Sequence, residues 1–234
     1  MISQYCMTLS EALPANAAYP LYAALLEKAP AWFSAYVHEG SMTPVSQYVL
    51  GQRWYVSLLT DRCEETMGQV LEDLDTLLLH KLGKQVKITA RQTRRISSVE
   101  ELLNSRLPET VTLHLATPTA FKSGGAYQLL PTQRLLVQSL LLKWNACLSD
   151  VCPIEDEGEG LEALASGLIY RDIRLESRMY AMKNTAIPGT VGTVCLEKHL
   201  SGFHRQLMDA LLSFGAYSGV GIKNALGMGG LRIE

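Results

Sequence analysis

The segment from Gly215 to Gly230 has a composition suited to binding an anion. Its glycines recur at positions 215, 219, 221, 227, 229 and 230. Glycine adopts positive φ and lets the backbone approach a phosphate, so that several N–H groups can converge on it. Lys223 adds positive charge, and Asn224 can cap a turn or bind a ligand. We therefore predict phosphate contacts from Gly219, Gly221, Lys223, Asn224, Gly227 and Gly229.

The position of this segment excludes two familiar phosphate loops. A Walker loop needs Gly-Lys-Ser/Thr leading into a helix. A dinucleotide-binding loop lies between a strand and the helix that follows it. Here the glycines lie between a predicted helix and a predicted last strand, so a flexible hairpin without a ligand stays an alternative.

Five histidines supply candidates for proton transfer, because histidine titrates near neutral pH. His38 lies where a predicted helix passes into a loop, a place where catalytic side chains are often presented. His204, near the start of the last predicted helix, is the second candidate. The five cysteines form no C-x-x-C pair, and the acidic residues do not pair at spacings typical of a two-metal nuclease. We therefore predict neither a metal site nor a cofactor.

The charge is unevenly distributed. The net charge is −2, with 47% hydrophobic and 19% charged residues, which fits a soluble globular protein. Residues 81–95 nevertheless carry six basic residues and no acid, whereas residues 153–162 are acidic. Arg91, Arg94 and Arg95 are therefore candidate contacts to a polyanion, although a solvated edge strand would have the same composition. Without a basic leader or a membrane-length apolar run, we expect a cytoplasmic protein with no membrane partner.

The periodicity of apolar residues places these candidates on two similar halves. In the first half it predicts a strand at 3–10, a helix at 21–36 that Pro30 breaks or kinks, and a loop at 37–47. A strand at 54–59, a helix at 63–82 closed by Gly83, and a strand at 86–95 that is basic on one side follow.

The second half repeats this order. Strands are predicted at 111–116, 167–176, 191–196 and 228–233, with helices at 131–148 and 203–214. Two β-α-β-β-α-β units predict an α+β protein of two tandem ferredoxin-like domains, residues 1–100 and 101–234. The junction near 97–109 is either a polar linker or a further helix.

Several motifs occur in an order that resembles a known family. The stretch Gly219-Val220-Gly221-Ile222-Lys223-Asn224-Ala225-Leu226-Gly227-Met228-Gly229 resembles the C-terminal signature of the CRISPR repeat-processing endoribonucleases of the RAMP superfamily. Three weaker similarities precede it, at Tyr36-Val37-His38-Glu39, at Thr117–Lys122 with Lys143-Trp144-Asn145, and at Ile187–Val194. The resemblance covers nearly the whole chain.

The resemblance implies metal-independent cleavage of CRISPR repeat RNA to mature crRNA. In that reaction an RNA 2′-OH attacks the adjacent phosphate and leaves a 2′,3′-cyclic phosphate and a 5′-OH. It implies that His38 is catalytic and offers Tyr22, sixteen residues earlier on the first helix, as its partner, although Tyr22 also suits an ordinary packing role. With repeat RNA as the substrate, Arg91, Arg94 and Arg95 are candidate contacts to its phosphates or guanine edges. Relatives carry a lysine a few residues after the histidine, but this chain has Ser41, Met42, Thr43 and Pro44 there. These positions therefore supply no positive charge to stabilise the phosphorane.

Two other functions stay open. A non-catalytic RNA-binding subunit of a CRISPR effector complex would have the same fold and would contact other effector subunits. A ferredoxin-like regulatory protein would have no affinity for RNA hairpins, and the acidic net charge favours it.

Overall fold

The computed structural model describes residues 1–39, 42–80, 83–155, 158–182 and 185–234, without the side chains of His38 and Glu39. Its strands are Ile2–Leu13 (β1), Val45–Leu58 (β2), Thr76–Leu79 (β3), Lys84–Ile96 (β4), Thr110–Thr119 (β5), Phe121–Ser123 (β6), Ala126–Gln128 (β7), Leu168–Met182 (β8), Thr185–Lys198 (β9) and Leu231–Ile233 (β10). Its helices are Ala18–Leu26 (α1), Ala31–Glu39 (α2), Asp61–Glu72 (α3), Val99–Leu103 (α4), Gln133–Leu148 (α5), Glu159–Ser166 (α6) and Gly202–Ser218 (α7). None of the described helices is both long enough and apolar enough to cross a membrane.

The first half is an antiparallel sheet in the order β2-β1-β4-β3, with α1 and α3 packed on it. Strand β2 turns back on itself at Gly51, which has φ +60°. Its two arms are joined by a 3.0 Å hydrogen bond from Leu59 N to Pro44 O and by stacked Tyr48 and Tyr55 rings. Counting both arms, this half has the β-α-β-β-α-β order of a ferredoxin-like fold.

The second half is an antiparallel sheet in the order β10-β5-β9-β8. Helices α5 and α7 pack against each other, and Trp144 meets Phe214 edge-on at 5.5 Å. This strand order is again ferredoxin-like, so the predicted tandem architecture is confirmed. The boundary between residues 100 and 101 stays a prediction.

The two halves are joined through the glycine-rich segment. Ala225 packs in the core of the first half, and its carbonyl accepts a 2.9 Å hydrogen bond from Gln47 Nε2. Gln4 Nε2 donates to Ala216 O at 3.2 Å. The end of the chain is therefore fixed against the first half by buried polar contacts as well as by apolar packing.

The predicted helix at 63–82 is wrong beyond Glu72, because β3 follows α3 there. Leu77 and Leu79 are buried while Leu78 is 50% exposed, which is the two-residue period of a strand. The leucine spacing fits a helix equally well, but pairing of β3 with β4 decides the conformation. Residues 81–82 lie outside the described part of the chain.

Three other local predictions can be compared with the structure. The predicted break at Pro30 is confirmed, since α1 ends at Leu26 and α2 begins at Ala31. The predicted loop at 37–47 is shorter, because α2 continues to Glu39 and β2 begins at Val45. The junction contains α4, so the helical alternative is correct. The sequence pattern missed α6 and the β6–β7 hairpin.

Candidate active site

A cavity of about 450 Å³ opens where the two halves meet. Its walls come from six parts of the chain: α1, the segment after α2, Leu59 directly after β2, the β6–β7 hairpin, α5 and the glycine-rich segment. The lining residues used below are Tyr22, Met42, Thr43, Lys122, Tyr127, Lys143, Gly221, Lys223 and Asn224. This cavity is our candidate active site.

Most glycines of the glycine-rich segment are required by packing. Gly219, Gly221, Gly227 and Gly229 are buried and have positive φ. At Gly229, φ is +69° and a Cβ would lie 1.9 Å from Val220 O, so no other residue fits there. A Cβ at Gly227 would lie 2.3 Å from Ala18 Cβ. The glycines let the chain pass close to its own backbone and to α1.

The backbone amides of these glycines are used inside the protein. Gly219 N donates to Gly215 O at 2.8 Å, and Gly221 N to Ser139 Oγ at 2.8 Å. Gly227 N and Gly229 N likewise donate to backbone carbonyls. The expected convergence of these four N–H groups on one phosphate is therefore not the arrangement found, and contact of the segment with RNA through other atoms stays a prediction.

Asn224 and Lys143 hold the segment in shape. Asn224 is 9% exposed, and its Nδ2 donates to Val220 O at 3.0 Å and Met228 O at 3.1 Å. Its Oδ1 accepts from Lys143 Nζ, which also donates to Ser218 O at 3.0 Å. Lys143 is 4% exposed, and burial holds the pKa of its amine well below the usual value. The predicted binding residue Asn224 thus has a structural role in this structure.

Lys223 lies exposed on the rim of the cavity in a left-handed conformation, with φ +58°. Its ammonium group has no side-chain partner among the described residues. An exposed cation at this position could reach a ligand in the cavity, and the predicted contact of Lys223 with RNA stays a prediction.

Tyr22 lies on α1 and is 3% exposed. Its hydroxyl is buried, without a hydrogen-bond partner among the described residues. Burial, with a smaller contribution from the Cys63 thiol, raises the pKa of Tyr22 above its ordinary value. A neutral phenol with an unused O–H can donate a hydrogen bond at neutral pH, but it is a poor base.

His38 is the second-to-last residue of α2, and its side chain lies outside the described part of the structure. Met42 and Thr43, the next residues that the structure describes, line the cavity. Four residues span at most about 14 Å, so the His38 backbone lies near the cavity. His204 instead lines a separate groove with Phe203 and Leu207, so the fold separates the two histidine candidates.

The three candidate arginines do not share one surface, because side chains alternate along a strand. Arg95 lies 3.1 Å from Glu72 Oε1, and Arg91 Nη2 donates to Leu74 O at 2.6 Å, on the side of the sheet that α3 covers. Arg94 points to the opposite side, beside Tyr48, and is exposed with no ion pair among the described residues. The strand predicted to be basic on one side is basic on both.

Lys122, Tyr127 and Lys143 line the cavity, and sequence reasoning gave them no function. The signal for Lys143 was a single lysine within the apolar run Leu140–Trp144. Lys122 ends the family-like motif Thr117–Lys122, but nothing in that motif indicated a role for it. Tyr127 had no local signal, because the hairpin that carries both residues was not predicted. Among the described residues, no group of three or more His, Cys, Asp or Glu side chains is arranged to hold a metal ion.

Comparison with known proteins gives consistent matches. The family model "CRISPR-associated endoribonuclease Cas6" matches residues 113–231, more than half of the chain. A curated relative of that name from Streptococcus thermophilus is 29% identical over 216 residues, 90% of this chain and 88% of that protein. One from Mycobacterium tuberculosis is 29% identical over 226 residues, 92% of this chain and 70% of that protein.

Solved structures agree with these matches. A Cas6 product complex aligns with a TM-score of 0.78 and 25% identity over 100% of both chains. A Cas6 from Thermus thermophilus aligns with a TM-score of 0.76 and 22% identity over 100% of this chain and 98% of that one, which shows a shared fold. The tandem ferredoxin-like architecture, the cavity beside the glycine-rich segment and the family match together establish that this chain belongs to the Cas6 family of CRISPR-associated endoribonucleases.

Proposed function

We propose that this protein binds CRISPR repeat RNA and cuts it without a metal ion, yielding mature crRNA. The 2′-oxygen of one nucleotide attacks the adjacent phosphorus, and the bond from phosphorus to the next 5′-oxygen breaks. A base takes the 2′-OH proton and an acid protonates the leaving oxygen, giving a 2′,3′-cyclic phosphate and a 5′-OH. The observation that carries this proposal is the cavity, where Tyr22, the segment after His38 and exposed lysines meet.

His38 is the proposed proton-transfer group. The segment that follows it forms one wall of the cavity, through Met42 and Thr43. General acid–base catalysis by one positioned group typically contributes roughly 10²–10⁴-fold, and histidine serves at neutral pH as either acid or base.

Tyr22 is proposed to bind the phosphate rather than to take a proton. Its raised pKa keeps the phenol neutral, and its hydroxyl lacks a partner in the described structure. An O–H group without a partner in a buried setting can donate to a phosphate oxygen that enters the cavity, where a hydrogen bond to a charged acceptor is strong. This donor would stabilise charge that grows during the attack.

RNA is proposed to continue from the cavity along the side of the first sheet that faces away from α1 and α3. The exposed Arg94, Arg53 and Arg232 lie there, around the half-buried Tyr55 and the buried Tyr48 stacked on it. Phosphates are bound by such cations, and unpaired bases stack on aromatic rings or guanidinium groups. Lys223 would extend this basic surface at the rim of the cavity.

The test is incubation of the protein with candidate repeat RNAs in EDTA, followed by analysis of the new ends. We expect one major cut with a cyclic phosphate on the upstream product and a 5′-OH on the downstream product. Loss of cleavage in EDTA, with recovery on addition of Mg²⁺, would refute the metal-free mechanism. A 5′-phosphate product would refute attack by the 2′-OH.

A non-catalytic RNA-binding subunit of an effector complex is the alternative function. The absence of a lysine from the Ser41–Pro44 segment favours it, because the family pattern places one there. This alternative predicts tight binding of repeat RNA, no cleavage under any of these conditions, and no effect of His38→Ala.

A further inference from the structure

Because Ser41–Pro44 contains no lysine, the positive charge at the scissile phosphate would have to come from a side chain elsewhere in the cavity. Three lysines line the cavity in the described structure: Lys122, Lys143 and Lys223. Lys143 is buried and donates to Ser218 O and Asn224 Oδ1, so its amine is already used. Lys122 and Lys223 are exposed, without ion pairs among the described residues.

Lys122 differs from Lys223 in having an aromatic neighbour that also lines the cavity. Lys122 and Tyr127 are directly opposite each other in the antiparallel β6–β7 pair. Opposite residues place their side chains on the same face of the hairpin, with Cβ atoms about 5 Å apart. Tyr127 is 47% exposed, so its ring is available to a base.

The hairpin is held firmly at its base. Phe121 is 3% exposed, and Ala120 O accepts a 2.9 Å hydrogen bond from Ile222 N of the glycine-rich segment. On the other side, Leu129 O accepts from Thr190 Oγ1 at 2.9 Å. The Lys122–Tyr127 pair is therefore fixed relative to the wall of the cavity that carries Lys223.

We propose that Lys122 and Tyr127 form a nucleotide-binding pair at the active site: Tyr127 stacks on a base beside the scissile bond, and Lys122 contacts the scissile phosphate. A ring and an ammonium group on one face suit the two ends of a single nucleotide, its base and its phosphate. Lys122 thus supplies the positive charge that Ser41–Pro44 lacks. This inference rests on the proposed function and adds a catalytic residue to it.

The test measures single-turnover cleavage at saturating protein, and separately the Kd of uncleaved RNA that carries a 2′-deoxy nucleotide at the cleavage site. Lys122→Ala should slow cleavage about tenfold to a hundredfold, with at most a small change in Kd. The effect should lie below the roughly 10²–10³-fold loss for one enclosed oxyanion donor, because the rim is open to water. Lys122→Arg should keep most of the rate. The exposed Lys28, which does not line the cavity, provides the matched control Lys28→Ala, which should cut at the wild-type rate.

Tyr127 is tested by two substitutions. Tyr127→Ala should raise Kd about fivefold to a hundredfold, the range found when a base-stacking ring is removed. Tyr127→Phe should bind as the wild type does, since stacking needs the ring and not the hydroxyl.

The outcomes separate this inference from the proposed function. If Lys122→Ala cuts at the wild-type saturated rate while His38→Ala does not cut, the inference is overturned and the proposed function stands. If Lys122→Ala changes only Kd, Lys122 contributes to RNA binding but not to catalysis, and the inference is again overturned. If the wild type does not cut at all, the proposed function itself fails.

Discussion

Replacing Lys143 with methionine removes the amine that joins α5 to the glycine-rich segment. Methionine retains an unbranched apolar stem but leaves Ser218 O and Asn224 Oδ1 without their donor. A buried polar group that loses its partner costs about 1–3 kcal/mol, and two are left here. Because removal of a desolvated amine offsets part of this cost, we expect the free energy of unfolding to fall by about 1–4 kcal/mol.

The same substitution should change how stability depends on pH. Burial lowers the pKa of Lys143 in the folded protein, so above that pKa the unfolded chain binds more protons at this site than the folded one. Stability then rises with pH. The rise should extend from the lowered folded pKa to the ordinary lysine value of about 10.4. Lys143→Met should lose this contribution, which should persist in the control Lys28→Met.

The assay is urea unfolding at several pH values between about 7 and 10, combined with single-turnover RNA cleavage. Cleavage by Lys143→Met should slow roughly tenfold to a hundredfold, because small displacements of positioning groups cost rates of this order. If Lys143→Met matches the wild type in unfolding free energy and in its pH dependence, the structural role of the buried amine is refuted.

Three further predictions concern single side chains. His38→Ala should cut RNA in EDTA at least about a hundredfold more slowly and bind it nearly as well, and an unchanged rate would remove His38 from the mechanism. Arg94→Ala should lower the slope of log affinity against log salt by about 0.7–0.9. Arg95→Ala should change the slope less, because the Arg95 guanidinium pairs with Glu72. Equal effects of the two substitutions would contradict the assignment of Arg94 and Arg95 to opposite sides of β4. Gly229→Ala should destabilise the protein by more than Gly51→Ala in thermal unfolding, since both have positive φ but only Gly229 has an atom within 4 Å of the added Cβ.

Most of the architecture could be predicted from the sequence, because the periodicities of strands and helices are local properties of the chain. The repeated order of elements predicted both ferredoxin-like halves, and Pro30 marked the break between α1 and α2. The prediction failed at β3, where leucine spacing was compatible with two periods. Pairing with β4 decided between them, and a contact between separate segments is not visible in a local pattern.

Residue chemistry and a family resemblance identified the glycine-rich segment, Tyr22 and His38 from sequence alone, and their roles in cleavage stay predictions. Strand alternation is also a local property, and it separates Arg94 from Arg95. The tertiary structure decided how the glycine-rich segment is used: its amides bond within the protein, and Lys143 from α5 holds Asn224.

Only the tertiary structure placed Lys122 and Tyr127 in one cavity with Tyr22, about a hundred positions away in the chain. Composition and spacing report which side chains can do chemistry. Which of them meet in one cavity depends on how the two halves, each with its own hydrophobic core, pack against each other. The contacts that fix this packing join residues far apart in sequence, such as Gln47 and Ala225.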